Sequence, residues 1–210
     1  MRGRLAAAAC LLAAAAQAHD GEDHGQGETT LPEDRLAAAL KEAPVALPWE
    51  VGGPFELVDH TGRVRTQADP DGRHQLLFFG YANCPGICSA ALPLMADAVA
   101  ELEAEGVKMS ALVVTIDPKL DTVETMGPSL AKVSDDLLGL TGTPEALDVA
   151  YDAFQVEFEH LFDDPEHGPI YSHGSFIYLL DPAGEVLTQL PPVLPPEQVS
   201  AIVRKYVVGG

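Results

Sequence analysis

Two cysteines lie four positions apart in the segment Cys84-Pro85-Gly86-Ile87-Cys88. An apolar run, His74 to Tyr81, precedes them, and apolar residues at helical spacing follow, so we place the pair where a strand leads into a helix. Unpaired amides at a helix N-terminus favour negative charge, which lowers the pKa of a thiol there. A disulfide that closes so short a loop adds little stability. The pair therefore indicates either a redox site or a metal site.

A third ligand would favour a metal. Thiolates suit Cu(I), and two cysteines with one histidine make a three-coordinate site, whereas a structural zinc site takes a fourth ligand. His173 is the best-placed histidine, because it lies directly before the apolar run FIYLL, although position alone does not decide its role. We interpret His60 and His74 as surface residues and place the other candidates in an exposed acidic stretch, Glu157 to His167. The chain's histidines are His19, His24, His60, His74, His160, His167 and His173.

The elements that would position these residues follow an α/β order. A hairpin over Phe55 to Thr66 comes first, and strands and helices then alternate before a second hairpin and a final helix. This order predicts a thioredoxin-like α/β fold, with a central mixed sheet flanked by helices and an N-terminal hairpin. The first two long strands should be parallel, which places the cysteines at the carboxyl end of a central strand. The predicted elements after the hairpin are strands His74–Tyr81, Val107–Ile116, Ser175–Leu180 and Glu185–Leu190, and helices Cys88–Glu105, Thr122–Lys132, Pro144–Phe154 and Pro196–Val207.

The first eighteen residues have the pattern of a secretory signal. Arg2 and Arg4 give a basic start, Leu5 to Ala16 is apolar, and Ala16-Gln17-Ala18 is a cleavage site. The apolar run is shorter than the roughly 20 residues that a membrane-spanning helix needs. We therefore expect a signal peptide (1–18), a flexible leader (19–47) and one domain (48–210). The mature protein would be periplasmic or otherwise extracytoplasmic, and lipid attachment at Cys10 is the less favoured alternative.

Cleavage after Ala18 would expose His19 as the new N-terminus. Its amine and imidazole could chelate Cu(II), with His24 assisting. We favour the simpler interpretation, a polar leader whose histidines bind nothing.

Charge excludes one class of partner. The chain has 210 residues and a formal net charge of −20. A surface this negative repels phosphate backbones and anionic lipids, so we expect no nucleic-acid ligand.

Four segments resemble the Sco/SenC family, which are thioredoxin-fold copper proteins that supply the binuclear copper centre of cytochrome c oxidase. They are FFGYANCPGIC, VVTIDP with the following Asp121-Thr122, GLTGTPE and SHGSFIYLLDPAGEV. The resemblance implies that Cys84, Cys88 and His173 bind a copper ion and that Asp117 lies close behind them.

The resemblance also implies partners. These are the copper-bearing subunit of cytochrome c oxidase, together with another copper chaperone or a thioredoxin-like reductant. We expect a monomer without the membrane tether that is usual in the family. Gly86 and Ser89 stand where the family often has an acidic residue and a proline.

A second hypothesis is a thiol–disulfide oxidoreductase that keeps the acceptor's cysteines reduced. Cys84 would then attack as the thiolate, with Cys88 as its partner, and copper would be incidental. A thiol peroxidase is a third and weaker hypothesis, because no other residue in the sequence supports peroxide chemistry.

Overall fold

The structure is a computed structural model that describes residue 47 and residues 50–174 and 176–207. The predicted signal peptide (1–18) with Cys10, and the predicted leader up to residue 46 with His19 and His24, lie outside the described residues. The strands are β1 Glu56–Asp59, β2 Val64–Thr66, β3 His74–Gly80, β4 Met109–Thr115, β5 Leu137–Thr141, β6 Phe158–Asp164, β7 Gly168–His173, β8 Ile177–Leu180 and β9 Val186–Leu190. The helices are α1 Cys88–Ala104, α2 Val123–Leu130, α3 Pro144–Phe154 and α4 Pro196–Val207.

Seven strands form one mixed sheet in the order β2-β1-β5-β4-β3-β8-β9. Strands β3, β4 and β5 are parallel, and β8 pairs antiparallel with β3. The predicted mixed sheet, N-terminal hairpin and parallel pair are confirmed. Since β3 lies inside the sheet, the loop that follows Gly80 leaves from the carboxyl edge of a central strand.

The central strands are buried on both faces, as their continuous apolar runs predict. Leu76 and Phe78 point to the face covered by α1, α2 and α4. Leu77 and Phe79 point to the opposite face, which α3 covers. The two clusters of buried side chains fix β3 firmly, so the loop at its end starts from a rigid position.

The acidic stretch that we predicted as an exposed excursion is exposed, but it is regular. Strands β6 and β7 pair antiparallel as a separate two-stranded sheet, with a bulge between His160 and Phe162. We missed β6 because its residues are largely exposed and include Asp and Glu, and β7 because it begins with Gly168 and Pro169; all four residue types are depleted in strands. Strand β5 was missed as well.

None of the helices in the described part of the chain is long and apolar enough to cross a bilayer.

A buried carboxylate stabilises the N-terminal hairpin. Asp59 is fully buried at the end of β1. Its oxygens accept hydrogen bonds from Thr61, from the amide of Arg63 and from Nε of Arg65, at 2.6 to 3.0 Å. Burial raises the pKa of Asp59, but these hydrogen bonds outweigh it and lower the pKa to about 2. The charged form is therefore the one that the fold stabilises.

Replacing this carboxylate should weaken the fold. We expect Asp59→Ala to lower the free energy of unfolding at neutral pH by about 3 kcal/mol, because Arg65 and two backbone amides lose their acceptor. Urea unfolding followed by circular dichroism measures the difference, and Asp135→Ala, at an exposed position, is the control.

The same variant has a pH signature. The folded pKa lies below the ordinary value of 3.8, so the stabilisation is complete above that pH and is lost as the pH falls toward 2. The gap in stability between the natural protein and Asp59→Ala should narrow over that interval. A gap that stays constant would contradict this role for the charge.

Candidate metal centre

A short, hydrogen-bonded loop positions the two cysteines. The amide of Cys84 donates to the carbonyl of Tyr81 at 3.3 Å, and α1 begins at Cys88. The buried carboxylate of Asp121 accepts from the amide of Ala82 at 2.9 Å and from Oγ1 of Thr115 at 2.8 Å. Asp121 thus fastens the start of the loop to the end of β4.

A glycine makes room for the second cysteine. A Cβ atom on Gly80 would lie 3.0 Å from Sγ of Cys88 and 2.6 Å from a ring carbon of Phe78. Any residue with a side chain at position 80 would displace Sγ of Cys88 or the ring of Phe78. The last residue of β3 therefore has to be small for Cys88 to sit against the strand.

The histidine comes from the other side, at the end of β7. Rings of Phe78 and Tyr81 lie edge-on to the imidazole of His173, with centroids 6.0 and 6.2 Å away. Nδ1 of His173 lies 2.8 Å from the carbonyl oxygen of Gly174. Because a carbonyl only accepts, Nδ1 donates this bond, and in the neutral imidazole Nε2 is then the nitrogen that bears the lone pair. Nε2 lies 3.9 Å from Sγ of Cys88.

The structure thus brings the three predicted ligands together. The sulfurs of Cys84 and Cys88 and a ring nitrogen of His173 all lie within 4.8 Å of one another, and both thiols are free. No other group of three potential ligands forms among the described residues. Two soft sulfurs and one imidazole nitrogen are a donor set suited to Cu(I). Their role as ligands stays a prediction.

Hydrogen bonding divides the protons unequally between the thiols. The thiol of Cys88 donates to Cys84, which lowers the pKa of Cys84 despite partial burial. The same bond, with deeper burial, raises the pKa of Cys88. The pair therefore carries one thiolate, on Cys84, more readily than an ordinary thiol would.

The predicted supporting residue Asp117 lies behind the β6–β7 hairpin. Asp117 is buried, and its Oδ2 has no hydrogen-bond partner among the described residues. It lines a small cavity with Tyr151, Phe158 and Tyr171. Burial raises the pKa of Tyr171, and the neighbouring charge of Asp117 raises it further. A place for Asp117 close behind the ligands stays a prediction.

Sequence reasoning missed three residues that position the site. Asp121 entered only as part of a matching segment, and its anchoring of the cysteine loop could not be inferred from that. The rings of Phe78 and Tyr81 that flank His173 belong to the run FFGY, and aromatic residues next to a cysteine loop are a signal that could have identified them.

The other described histidines lie elsewhere. His60, which we interpreted as a surface residue, is half-buried, and its Nδ1 accepts a hydrogen bond from the amide of Gly139 at 3.0 Å. His74 starts β3, at the opposite end from the cysteines. His160 and His167 each contact an aspartate on the exposed hairpin, at 3.1 and 3.0 Å.

One family model covers most of the chain. The SCO1/SenC family model matches residues 45–208. This chain belongs to the SCO1/SenC family. Its thioredoxin-like fold agrees with that membership, since a mixed sheet flanked by helices is the architecture of its Sco neighbours among solved structures.

Individual proteins of this family are similar to the chain in sequence. The mitochondrial SCO2 homolog of Bos taurus is 35% identical over 171 residues, which are 80% of this chain and 62% of that protein. The chain therefore spans less than two thirds of the length of this relative.

Two copper-bound structures are similar as well. Bradyrhizobium japonicum ScoI with copper bound is 28% identical with a TM-score of 0.66, over 74% of this chain and 99% of that one. Yeast Sco1 with copper bound is 26% identical with a TM-score of 0.69, over 77% and 91% of the two chains.

The unequal thiols lead to a prediction. In the reduced, metal-free protein, Cys88→Ala should shift the pH midpoint for alkylation of Cys84 by iodoacetamide upward by about one unit or more, because Cys84 loses its hydrogen-bond donor. Peptide mass spectrometry across the pH range gives the rates at each cysteine.

Cys88→Ser is the matched control, since its hydroxyl can still donate and should retain most of the lowering. Equal midpoints in the natural protein and in Cys88→Ala would show that Cys88 does not stabilise the Cys84 thiolate.

Proposed function

We propose that this protein is a copper chaperone that binds one Cu(I) ion through Cys84, Cys88 and His173 and delivers it to the binuclear copper centre of cytochrome c oxidase. The observation that carries the proposal is the approach of three ligand atoms from two distant segments to within 4.8 Å. The copper bound to the similar B. japonicum and yeast structures supports the choice of metal.

The donor atoms suit a soft monovalent cation. Cys84 gives up its proton readily, and metal binding would displace the second proton from Cys88. Nδ1 of His173 is engaged by the carbonyl of Gly174, so Nε2 is the nitrogen that would donate its lone pair to the metal. Cys84 and His173 are only half-buried, so the ligands of an acceptor can reach the ion. Stepwise ligand exchange would then move copper without releasing it to solvent.

Thiol oxidation would switch this activity off. Forming a Cys84–Cys88 disulfide removes two electrons and two protons and eliminates both thiolate ligands. Copper loading therefore needs reduced thiols, and we infer that a thioredoxin-like reductant is one partner. A second copper chaperone is the inferred donor.

The remaining assignments follow from the sequence pattern. We infer a signal peptide over 1–18, a leader over 19–47 and a copper-binding domain over 48–210 that acts in the periplasm or another compartment outside the cytoplasm. Asp117 is proposed to support the site indirectly, through its contact with Tyr171 on the strand that carries His173.

Three single substitutions test the ligand set. We expect Cys84→Ser, Cys88→Ser and His173→Ala each to weaken Cu(I) binding by about 100-fold or more while leaving the fold intact. Losing a group that merely orients a metal ligand typically costs about 10- to 100-fold, and losing the ligand itself costs at least as much. Anaerobic competition with a chromophoric Cu(I) chelator gives the affinities.

His167→Ala is the control. His167 lies on the exposed hairpin away from the three ligands, so the Cu(I) affinity of this variant should equal that of the natural protein. Unaltered affinity in His173→Ala would exclude the three-ligand site.

A specific observation favours the second candidate function, a thiol–disulfide reductase. Cys84 is the more accessible thiol and has the lowered pKa, while Cys88 is buried beside it. This is the arrangement of an attacking and a resolving thiol.

Mixing experiments separate the two functions. The acceptor is the soluble copper-bearing domain of cytochrome c oxidase. We expect the copper-loaded protein to metallate the reduced domain, and the metal-free dithiol to reduce the oxidised domain slowly. Fast reduction without any copper transfer would favour the reductase.

A further inference from the structure

An open groove of about 850 Å³ lies next to His173. Residues of helix α3, of the chain leading into β6, of the end of β7 and Phe176 line it. His173 lines the groove, but neither Cys84 nor Cys88 does. The groove therefore reaches the metal centre from the imidazole side alone.

The groove is acidic. Four exposed carboxylates line it: Asp148, Asp152, Glu157 and Glu159. None of them forms an ion pair with another described residue, and no Lys or Arg is among the described residues that line the groove. Like charges gathered in one groove repel one another, so a cationic occupant would stabilise them.

Exposed aromatic side chains line the same groove. Phe158 is 39% exposed and Phe176 is 51% exposed. Phe158 lies opposite His173 in the β6–β7 pair, and Phe176 follows His173 by three residues. Clustered apolar surface of this kind marks interaction sites on soluble proteins, and its acidic surround specifies the charge of the partner.

We propose that this groove is the docking surface for the copper acceptor and that it binds a basic segment of the acceptor containing apolar side chains. The inference rests on the proposed delivery function and identifies the face used. During ligand exchange the acceptor's own ligands must come within bonding distance of the ion held at His173. An acceptor that approaches along the surface continuing from His173 covers the groove as it does so.

The position of the groove indicates that a copper acceptor, rather than a reductant, binds there. A reductant has to reach a sulfur atom, and the groove presents none. A metal acceptor can approach through His173, which is the ligand that the groove exposes. The complementary charge then raises the association rate, and this effect weakens with added salt.

Two double variants with the same change of charge test the docking surface. Asp152→Lys with Glu159→Lys reverses two charges in the groove. Asp71→Lys with Asp135→Lys reverses two exposed charges near the starts of β3 and β5, at the opposite edge of the sheet from the cysteines. Copper transfer from each loaded protein to the reduced, soluble copper-bearing domain of cytochrome c oxidase is timed at low and high ionic strength.

We expect the groove variant to transfer copper about ten-fold more slowly than the control variant at low salt, with a weaker dependence on salt. Chemical-shift mapping of the isotope-labelled, Cu(I)-loaded protein with the same domain should place the largest changes on groove residues. Cu(I) affinity should be equal in all three proteins.

Each outcome is decisive. Transfer at equal rates in both variants, with shifts away from the groove, would overturn the docking surface and leave delivery standing. Shifts in the groove without transfer would support the docking surface and overturn delivery. Neither shifts nor transfer would overturn both.

Discussion

Three donor atoms have to meet, and two of them, on Cys88 and His173, are 85 residues apart in the chain. Much of the architecture around the site serves this meeting. The rigid strand β3 ends at Gly80 directly below the site, and Asp121 fixes the loop that carries Cys84. Bringing distant residues together costs conformational entropy, and the buried side chains on both faces of the sheet offset that cost.

The β6–β7 hairpin carries His173 and is not hydrogen-bonded into the main sheet as a strand. Aromatic side chains connect the hairpin to the end of β3. The ring centroids of Tyr81 and Tyr171 lie 5.3 Å apart, and the amide of Tyr171 donates to the hydroxyl of Tyr81 at 3.4 Å. Tyr81 directly precedes the cysteine loop and also contacts His173. The same residue thus links both sources of ligand, while the outer part of the hairpin stays exposed and acidic. This division would let one element both complete the proposed metal site and present the proposed docking surface to a partner.

Much of the fold could be predicted because its signals are local. The continuous apolar run of β3 marks a strand that forms where the sequence places it. Helix α3 likewise begins at Pro144, directly after Thr143, whose side chain caps the first turn. Strands β6 and β7 could not be predicted, because they are stabilised by contacts such as that of Tyr171 with Tyr81 rather than by an apolar pattern of their own. The cysteine pair was evident from spacing, whereas the choice of His173 depended on the family resemblance. The anchoring by Asp121 and the acidic groove depend on tertiary placement that no local pattern encodes.

The central claim is that one copper ion is held by two sulfurs and one nitrogen. X-ray absorption spectroscopy of the reduced, Cu(I)-loaded protein tests it most directly, since it counts the neighbours of the metal by element. We expect copper with two sulfur neighbours and one imidazole nitrogen, and loss of the nitrogen signal in His173→Ala. A spectrum with two sulfurs alone in the natural protein, or one unchanged by His173→Ala, would contradict it.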